Sequence, residues 1–445
     1  MANNQLHKKY PEKDEVDKRV YIVFASLLLD LLAFTMILPI LPSILEHYRN
    51  NDTDGLYSWL SGHIKNFQKI VGAPEEYNSV LFGGFLGSMF SFLQFIASPI
   101  FGSISDVLGR KYVMLFCLVG ISVSYILWAF SSSLACFILA RFIGGISKGN
   151  VSLCFTIISD VSNTKTRGRG MALVGIAFSL GFIVGPLIGA GFAVWGKNKA
   201  NDWFIYPALF AFLLSISDLM FFAYAFRETL PKEKRAANIW TSLQGARGLV
   251  DLRQLFQFKA INLKPFEHRQ LQQLGIIYFV YMFIYSGLEF TLTFLTHHVF
   301  HYTSMQQGWM FFAIGLIMAI LQGGYVRRLP PNKVKPTAIL GLSLIIPSFV
   351  FVAIARNIWV LCIGLFLFAV STAMCVTCMT TMVAVYGSPK EKGTVMGIFR
   401  SLGALARAVG PIVACIAFWS LGSTFTYLIG ATALIWPAYT LKTKV

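Results

Sequence analysis

Gly102, Ser103, Ile104, Ser105, Asp106, Val107, Leu108, Gly109, Arg110 and Lys111 form a short polar stretch between two apolar runs, near residues 78 to 100 and 112 to 130. A hydrocarbon core of about 30 Å is crossed by about 20 apolar residues as a helix. Backbone in lipid must be hydrogen-bonded internally, so each run reads as a transmembrane helix. The stretch is then a tight turn at a membrane surface: Gly102 allows close packing, Gly109 allows the turn, and Asp106 ends the second helix. The same criterion applied outward places twelve spans. They lie near residues 20 to 45, 78 to 100, 112 to 130, 134 to 159, 168 to 195, 204 to 226, 273 to 298, 305 to 325, 336 to 354, 358 to 386, 394 to 419 and 423 to 441. The expected fold is an all-α membrane protein.

Composition agrees. Of 445 residues, 56% are apolar and only 13% charged, about half the ~25% of soluble domains. Too few charges remain to cover a soluble surface. The net charge of +17 invites a nucleic-acid reading, but 27 of the 37 Lys and Arg fall on one side in loops, tails or, for Arg169, at the edge of a span, with six on the other side and four deeper inside spans. That is the positive-inside asymmetry of a membrane protein with both termini cytoplasmic, so no nucleic-acid partner is expected. The first 19 residues are polar and the following apolar run is long enough to span, so no signal peptide is expected. The seven cysteines lie in apolar stretches or at their ends, which argues against a disulfide scaffold. Cys375 and Cys378 lack acidic or histidine partners, so no metal site is read there. Without a phosphate-binding loop, metalloprotease motif or nucleophile elbow, the chain reads as neither an enzyme nor a cofactor binder.

The domain reading is a tail at 1–19, a six-helix bundle at 20–226, a linker at 227–272 with nine Lys or Arg, a second bundle at 273–441 and a tail at 442–445. In the linker, Ile239, Leu243, Leu249, Leu252, Leu255 and Phe256 recur at helical spacing, consistent with a short helix at the membrane surface. The bundles echo one another: Met171 to Pro186 and Met396 to Pro411 are equal intervals ending in Gly185-Pro186 and Gly410-Pro411, each with a glycine three residues before the Met (Gly168, Gly393). Asp30 and Glu289 pair at a longer offset, and the loop between the first two helices, near 46 to 77, accounts for the difference. Such duplication, with a substrate site between the halves, is common in secondary transporters. That loop also holds Asn51, Asp52 and Thr53, a glycosylation acceptor pattern at Asn51 on the expected exoplasmic side.

The stretch from Gly102 to Lys111 resembles the loop of the major facilitator superfamily between its second and third helices. Further matches are Arg141 and Gly145 on the fourth helix, Gly181, Gly185, Pro186 and Gly189 on the fifth, and Glu228, Thr229 and Leu230 after the sixth. The fifth-helix signature is similar to that of the antiporter branch. The runs 77–84, 143–153, 393–397 and 407–411 resemble tetracycline-transporter-like proteins of animals. The second half keeps Gly323, Gly324, Arg327 and Arg328 at the corresponding loop but has no Asp there, and Arg227 replaces the usual proline before Glu228. The resemblance implies two pseudo-symmetric six-helix bundles and a proton-linked exporter of small organic molecules, including organic anions. It also sets Asp106 against the start of the eleventh helix. There a carboxylate can accept from the amides of Gly393 and Thr394 and latch that side, with Arg110 a partner for Asp160. Pro186 and Pro411 would each bend a helix and thin it for a neighbour.

Ionisable residues within spans are costly and mark function by default. Asp30 lies ten residues into the first span, near mid-depth. Arg141 and Lys148 share a face of the fourth helix, Arg400 and Arg407 repeat that spacing on the eleventh, and Glu289 is on the seventh. In the family the first, fourth, seventh and tenth helices line the cavity. Four cations against two acids attract an anion, so Lys148, Arg407, Arg141 and Arg400 read as substrate-binding, and Asp30 and Glu289 as proton-coupling. The alternatives are a proton-coupled exporter of cationic or neutral amphipathic drugs, with both acids as cation acceptors, and a non-transporting receptor on the same fold. Asp218 lies in the sixth helix, which the family places at the periphery; packing and functional roles both stay open. The expected partners are a small organic anion, protons and membrane lipid, with the chain a monomer in the plasma membrane or an internal organelle membrane.

Overall fold

The computed structural model describes residues 15–51, 55–196, 204–236 and 251–445. The first bundle comprises α1 (Lys18–Thr35), α2 (Leu41–Asn50), α3 (Leu56–Val71), α4 (Asn78–Leu108), α5 (Arg110–Ala129), α6 (Leu134–Ser147), α7 (Asn150–Val161), α8 (Arg167–Gly196) and α9 (Ile205–Ala225). A short α10 (Leu252–Phe256) precedes the second bundle. That bundle comprises α11 (Pro265–Phe300), α12 (Ser304–Gly324), α13 (Pro331–Ile354), α14 (Ile358–Val383), α15 (Lys392–Leu421), α16 (Ser423–Ala433) and α17 (Ile435–Lys444). Ten described stretches are long and apolar enough to cross a membrane. The first and twelfth crossings, α1–α2 and α16–α17, are made in two pieces each.

Three expected continuous helices are interrupted, each for a backbone reason. The first span turns through residues 36–40, where Pro39 and Pro42 supply no amide to the ladder and Leu38 and Ile40 bond back only three residues, to Thr35 and Ile37. It then continues to Asn50 rather than stopping near 45. The fourth span breaks at Lys148 and Gly149, where a Cβ on Gly149 would strike the Phe101 ring and Gln94 reaches the Lys148 carbonyl. A side chain entering the ladder is a known cause of kinks. The twelfth span breaks at Leu434, three residues before Pro437. By contrast α8 and α15 run through Pro186 and Pro411.

The loop between the first two spans folds as α3, which touches α2, α4 and α6 of its own bundle and α15 of the other. Asn51 caps the end of α2 through its backbone amide, donated to the His47 carbonyl, while Asp52 and Thr53 lie outside the described residues. So do the tail up to residue 14 and the Ile239, Leu243 and Leu249 part of the linker pattern. Leu252, Leu255 and Phe256 form α10, whose buried Leu255 faces α11 and α15.

Within the bundles α1 packs on α8 as α11 packs on α15, so the equivalent spans of the two halves pack in the same way. Gly181, Gly185 and Gly189 bring α8 against Leu31, Thr35 and Met36, and Gly410 brings α15 against Phe283 and Ser286; small residues let membrane helices approach closely. Between the bundles, α4 packs on α15 and α8 on α12. Large apolar side chains such as Phe116, Leu213, Met220, Trp359 and Phe366 remain exposed on the outer faces, as a lipid-facing belt requires.

Candidate transport pathway and gate

The start of α1 and the end of α17 lie at one end of the molecule, here the terminal end, and α3 lies at the other. At the terminal end, Gly109 joins α4 to α5 with φ of 102°, a left-handed conformation that glycine adopts without strain. The turn leaves α5 without a local side-chain cap. The Glu228 carboxylate takes that role, accepting from the amides of Arg110 (2.9 Å), Lys111 (3.1 Å), Thr229 (2.9 Å) and Leu230 (3.0 Å). This role was not read from the sequence, because the residues it joins are 118 positions apart.

Asp106 spans the seam between the bundles. Its Oδ1 accepts from Arg110 Nη1 at 2.7 Å and from the Gly393 amide at 2.9 Å. Its Oδ2 accepts from the Thr394 amide and the Thr394 hydroxyl, both at 2.8 Å. A carboxylate on the free amides at the start of α15 gains from charge-assisted bonds and the helix dipole. Arg110 is fully buried and also donates to Asp160 (2.9 Å) and Ser105 (2.7 Å). A Cβ on Gly102 would collide with the Gly393 carbonyl, so the two helices meet backbone to backbone. On the other flank α8 meets α12 without a carboxylate: Ser179 donates to Gln322 Oε1 at 3.1 Å. There Arg327 donates to the Tyr21 hydroxyl at 3.3 Å and joins no ion pair among the described residues.

At the α3 end, Tyr77 of the first bundle lies 2.9 Å from His297 Nδ1 of the second and packs edge-on against Phe294. Burial, and next the Glu76 carboxylate, hold the Tyr77 phenol above its usual range, so it keeps its proton. Gly84 receives the Phe290 ring. The bundles therefore touch at both ends.

The charged residues lie between these contacts. Asp30 is buried, accepting from Lys148 Nζ at 2.6 Å and from Asn150 Nδ2 at 2.8 Å. This ion pair lies within the first bundle. Arg407, half-buried on α15, donates to Gln94 Oε1 at 3.1 Å, and Gln94 Nε2 reaches the Lys148 carbonyl at 3.5 Å. One amide thus links the Arg407 guanidinium of the second half to the Lys148 backbone of the first, while the Lys148 ammonium stays on Asp30. Gln94 was not singled out from the sequence; an uncharged side chain in an apolar run gives no signal until its partners are known. Arg400 crosses the interface, its guanidinium 5.0 Å from the Phe155 ring and 3.5 Å from the Tyr278 hydroxyl, with Nε unpartnered. Arg141 sits among Tyr125, Trp128 and Phe137, with ring centroids 5.3 to 5.8 Å away. Such rings stabilise a desolvated cation. With Lys148 it lines a cavity of about 10 Å³, room for about one water. Glu289 accepts from Tyr285 at 2.9 Å and is in no ion pair among the described residues. The Lys148 backbone and the Arg407 guanidinium therefore meet at Gln94, Arg141 lies beside Lys148, and Arg400 and Glu289 lie within electrostatic reach of Arg407.

Two six-helix bundles meeting along a charged midline, joined at one end by a buried carboxylate, are the arrangement of a multi-pass membrane transporter. The chain belongs to the Major Facilitator Superfamily, whose pattern matches residues 23–411. It is similar to human major facilitator superfamily domain-containing protein 10, with 44% identity over 445 aligned residues, 98% of this chain and 94% of that protein. A crystal structure described as the human organic anion transporter MFSD10 (TETRAN) superposes with a TM-score of 0.90 at 44% identity, covering 97% of this chain and all of that one. The class B tetracycline resistance protein of Escherichia coli is 24% identical over 399 residues, 89% of this chain and 88% of that protein. These relatives are membrane transporters, not enzymes, and the protein transports a small molecule.

Proposed function

We propose that the protein moves small organic anions across a membrane by alternating access, coupled to protons, with both termini cytoplasmic. The carrying observation is Arg407 of the second half donating to Gln94 of the first, which also reaches the Lys148 backbone carbonyl, in a midline where cations outnumber acids. Gln94 occupies Arg407 with a neutral oxygen, which a substrate carboxylate replaces with a stronger, charged acceptor. The human relative described as an organic anion transporter supports the same class.

Asp30 supplies the coupling. Ionised, it holds the Lys148 ammonium; protonated, it releases that cation to the substrate, so proton and anion travel together. Glu289 is the second proton candidate. Reconstituted protein, offered organic anions and cations under an imposed pH gradient, is expected to concentrate anions only. Selective cation flux would favour the drug-export reading, and ligand binding without flux would make the protein a receptor. Asp30→Asn is expected to abolish gradient-driven accumulation while anion exchange continues; undiminished accumulation would remove Asp30 from coupling.

In this reading Asp106, Arg110, Gly102 and Gly109 form the cytoplasmic gate. Gly185 with Pro186, and Gly410 with Pro411, are the thinned helix contacts about which each bundle moves. Bonds to a charged group contribute about 1.5 to 3 kcal/mol each, and one such loss corresponds to roughly 10- to 150-fold in rate. Asp106→Ala is expected to lower the maximal rate within that range with KM nearly unchanged; a defect in KM alone would contradict the latch.

A further inference from the structure

Asp218 is an acid for which the cycle above has no use. It lies on α9, the sixth span, only 1% exposed, and neither carboxyl oxygen has a hydrogen-bond partner. Among the described residues it joins no ion pair. The outer face of α9 is exposed at Leu213, Met220 and Tyr224, whereas Ser215, Asp218 and Phe222 are buried. The side chain therefore points into the bundle, where α9 meets α1 and α5. An isolated carboxylate removed from water without donors is so costly that it takes a proton instead.

Its surroundings connect it to Asp30. Ser26 and Asp30 are one turn apart on α1, Ser26 is fully buried with its hydroxyl unpartnered, and it lies beside Asp218. The titratable groups facing this pocket are Asp30 from α1, Lys148 and Cys154 from the fourth span and Cys117 from α5. The other titratable groups of α5 are Tyr125, beside Arg141, and Arg110, Lys111 and Tyr112 at its start. α8 carries only Arg167 and Arg169, at its terminal-end start. The Lys148 ammonium is the single cation of the pocket, and Asp30 already holds it.

We propose that Asp218 is a further proton-binding carboxyl group of the transport cycle, beyond Asp30 and Glu289. It carries a proton while the α1–α9 contact is dry and releases it to water when movement of α1 wets that contact. This rests on the proton-coupled reading above and adds one proton-binding site to it.

Infrared titration of purified full-length protein tests the protonation without any transport. In a Glu289→Gln background, which removes the other acid within the spans that joins no ion pair among the described residues, a carboxylic-acid carbonyl band is expected at neutral pH, lost on adding Asp218→Asn and retained on adding Asp30→Asn. Its absence from that background would overturn the proposal. In proteoliposomes, Asp218→Asn is expected to keep anion flux but to carry about one proton fewer per anion; an unchanged ratio would leave Asp218 a purely structural acid and overturn the coupling role. If Asp218→Asn fails to fold, Asp218→Glu serves, with a displaced carbonyl band expected and an unmoved one counting against the assignment. A wild type with the band but no proton-linked flux would instead sink the reading on which this one rests.

Discussion

Arg407→Ala is expected to reduce organic-anion transport by roughly 30-fold to several thousand-fold, the equivalent of the 2 to 5 kcal/mol lost when one member of a desolvated charge pair is truncated. The folded protein should persist, because the bond lost is a contact to the neutral Gln94 oxygen, about 1.5 to 3 kcal/mol for a bond to a charged group, and its loss leaves no ion-pair partner stranded. Lys148→Ala makes the contrast. It too should abolish transport, but it strands the buried Asp30 carboxylate, which costs about 3 to 5 kcal/mol of stability. Lys148→Ala combined with Asp30→Asn should recover that stability without recovering transport. Thermal unfolding and initial uptake rates, measured on all four proteins, separate the two effects. Uptake by Arg407→Ala at the wild-type rate would remove the anion site.

Gly102→Val should hold the molecule open at the terminal end. A side chain there meets the Gly393 carbonyl, which is backbone and cannot turn aside. The helices must separate, and with them Asp106 from the amides of Gly393 and Thr394. Overpacking of this kind costs about 1 to 3 kcal/mol in the closed state, about 5- to 150-fold in the population ratio. Ser401, fully buried and bonded to the Phe95 carbonyl across the seam, reports it. In a cysteine-free background, Ser401→Cys should react slowly with a water-soluble maleimide, and faster by that factor once Gly102→Val is added. Equal rates would show that the contact does not govern closure.

The crossings and duplication were legible because lipid imposes a length and a hydrogen-bonding rule on every helix. The turn from Gly102 to Lys111 was legible because glycine and charge punctuate apolar runs. The Asp30–Lys148 pair was not: both residues were singled out, but their meeting depends on how the first and fourth spans rotate toward one another. The break at Lys148 was hidden for a related reason, since Phe101 and Gln94 come from another helix. Helix α3 escaped because its mixed composition fails the spanning criterion that found the others. Pro39 and Pro42 in the first span and Pro437 in the twelfth were visible, yet their interruptions were overridden by counting apolar residues.

The two flanks of the terminal end are built differently, and the difference fixes how the molecule can come apart. Asp106, held in place by Arg110, bolts α4 to the start of α15, whereas the bond described between α8 and α12 is one from a hydroxyl to an amide. When the bolt is drawn, resistance vanishes abruptly on one side and hardly changes on the other. Separation is then expected to follow a lopsided swing about the amide-linked flank instead of an even spreading of two mirror-like halves.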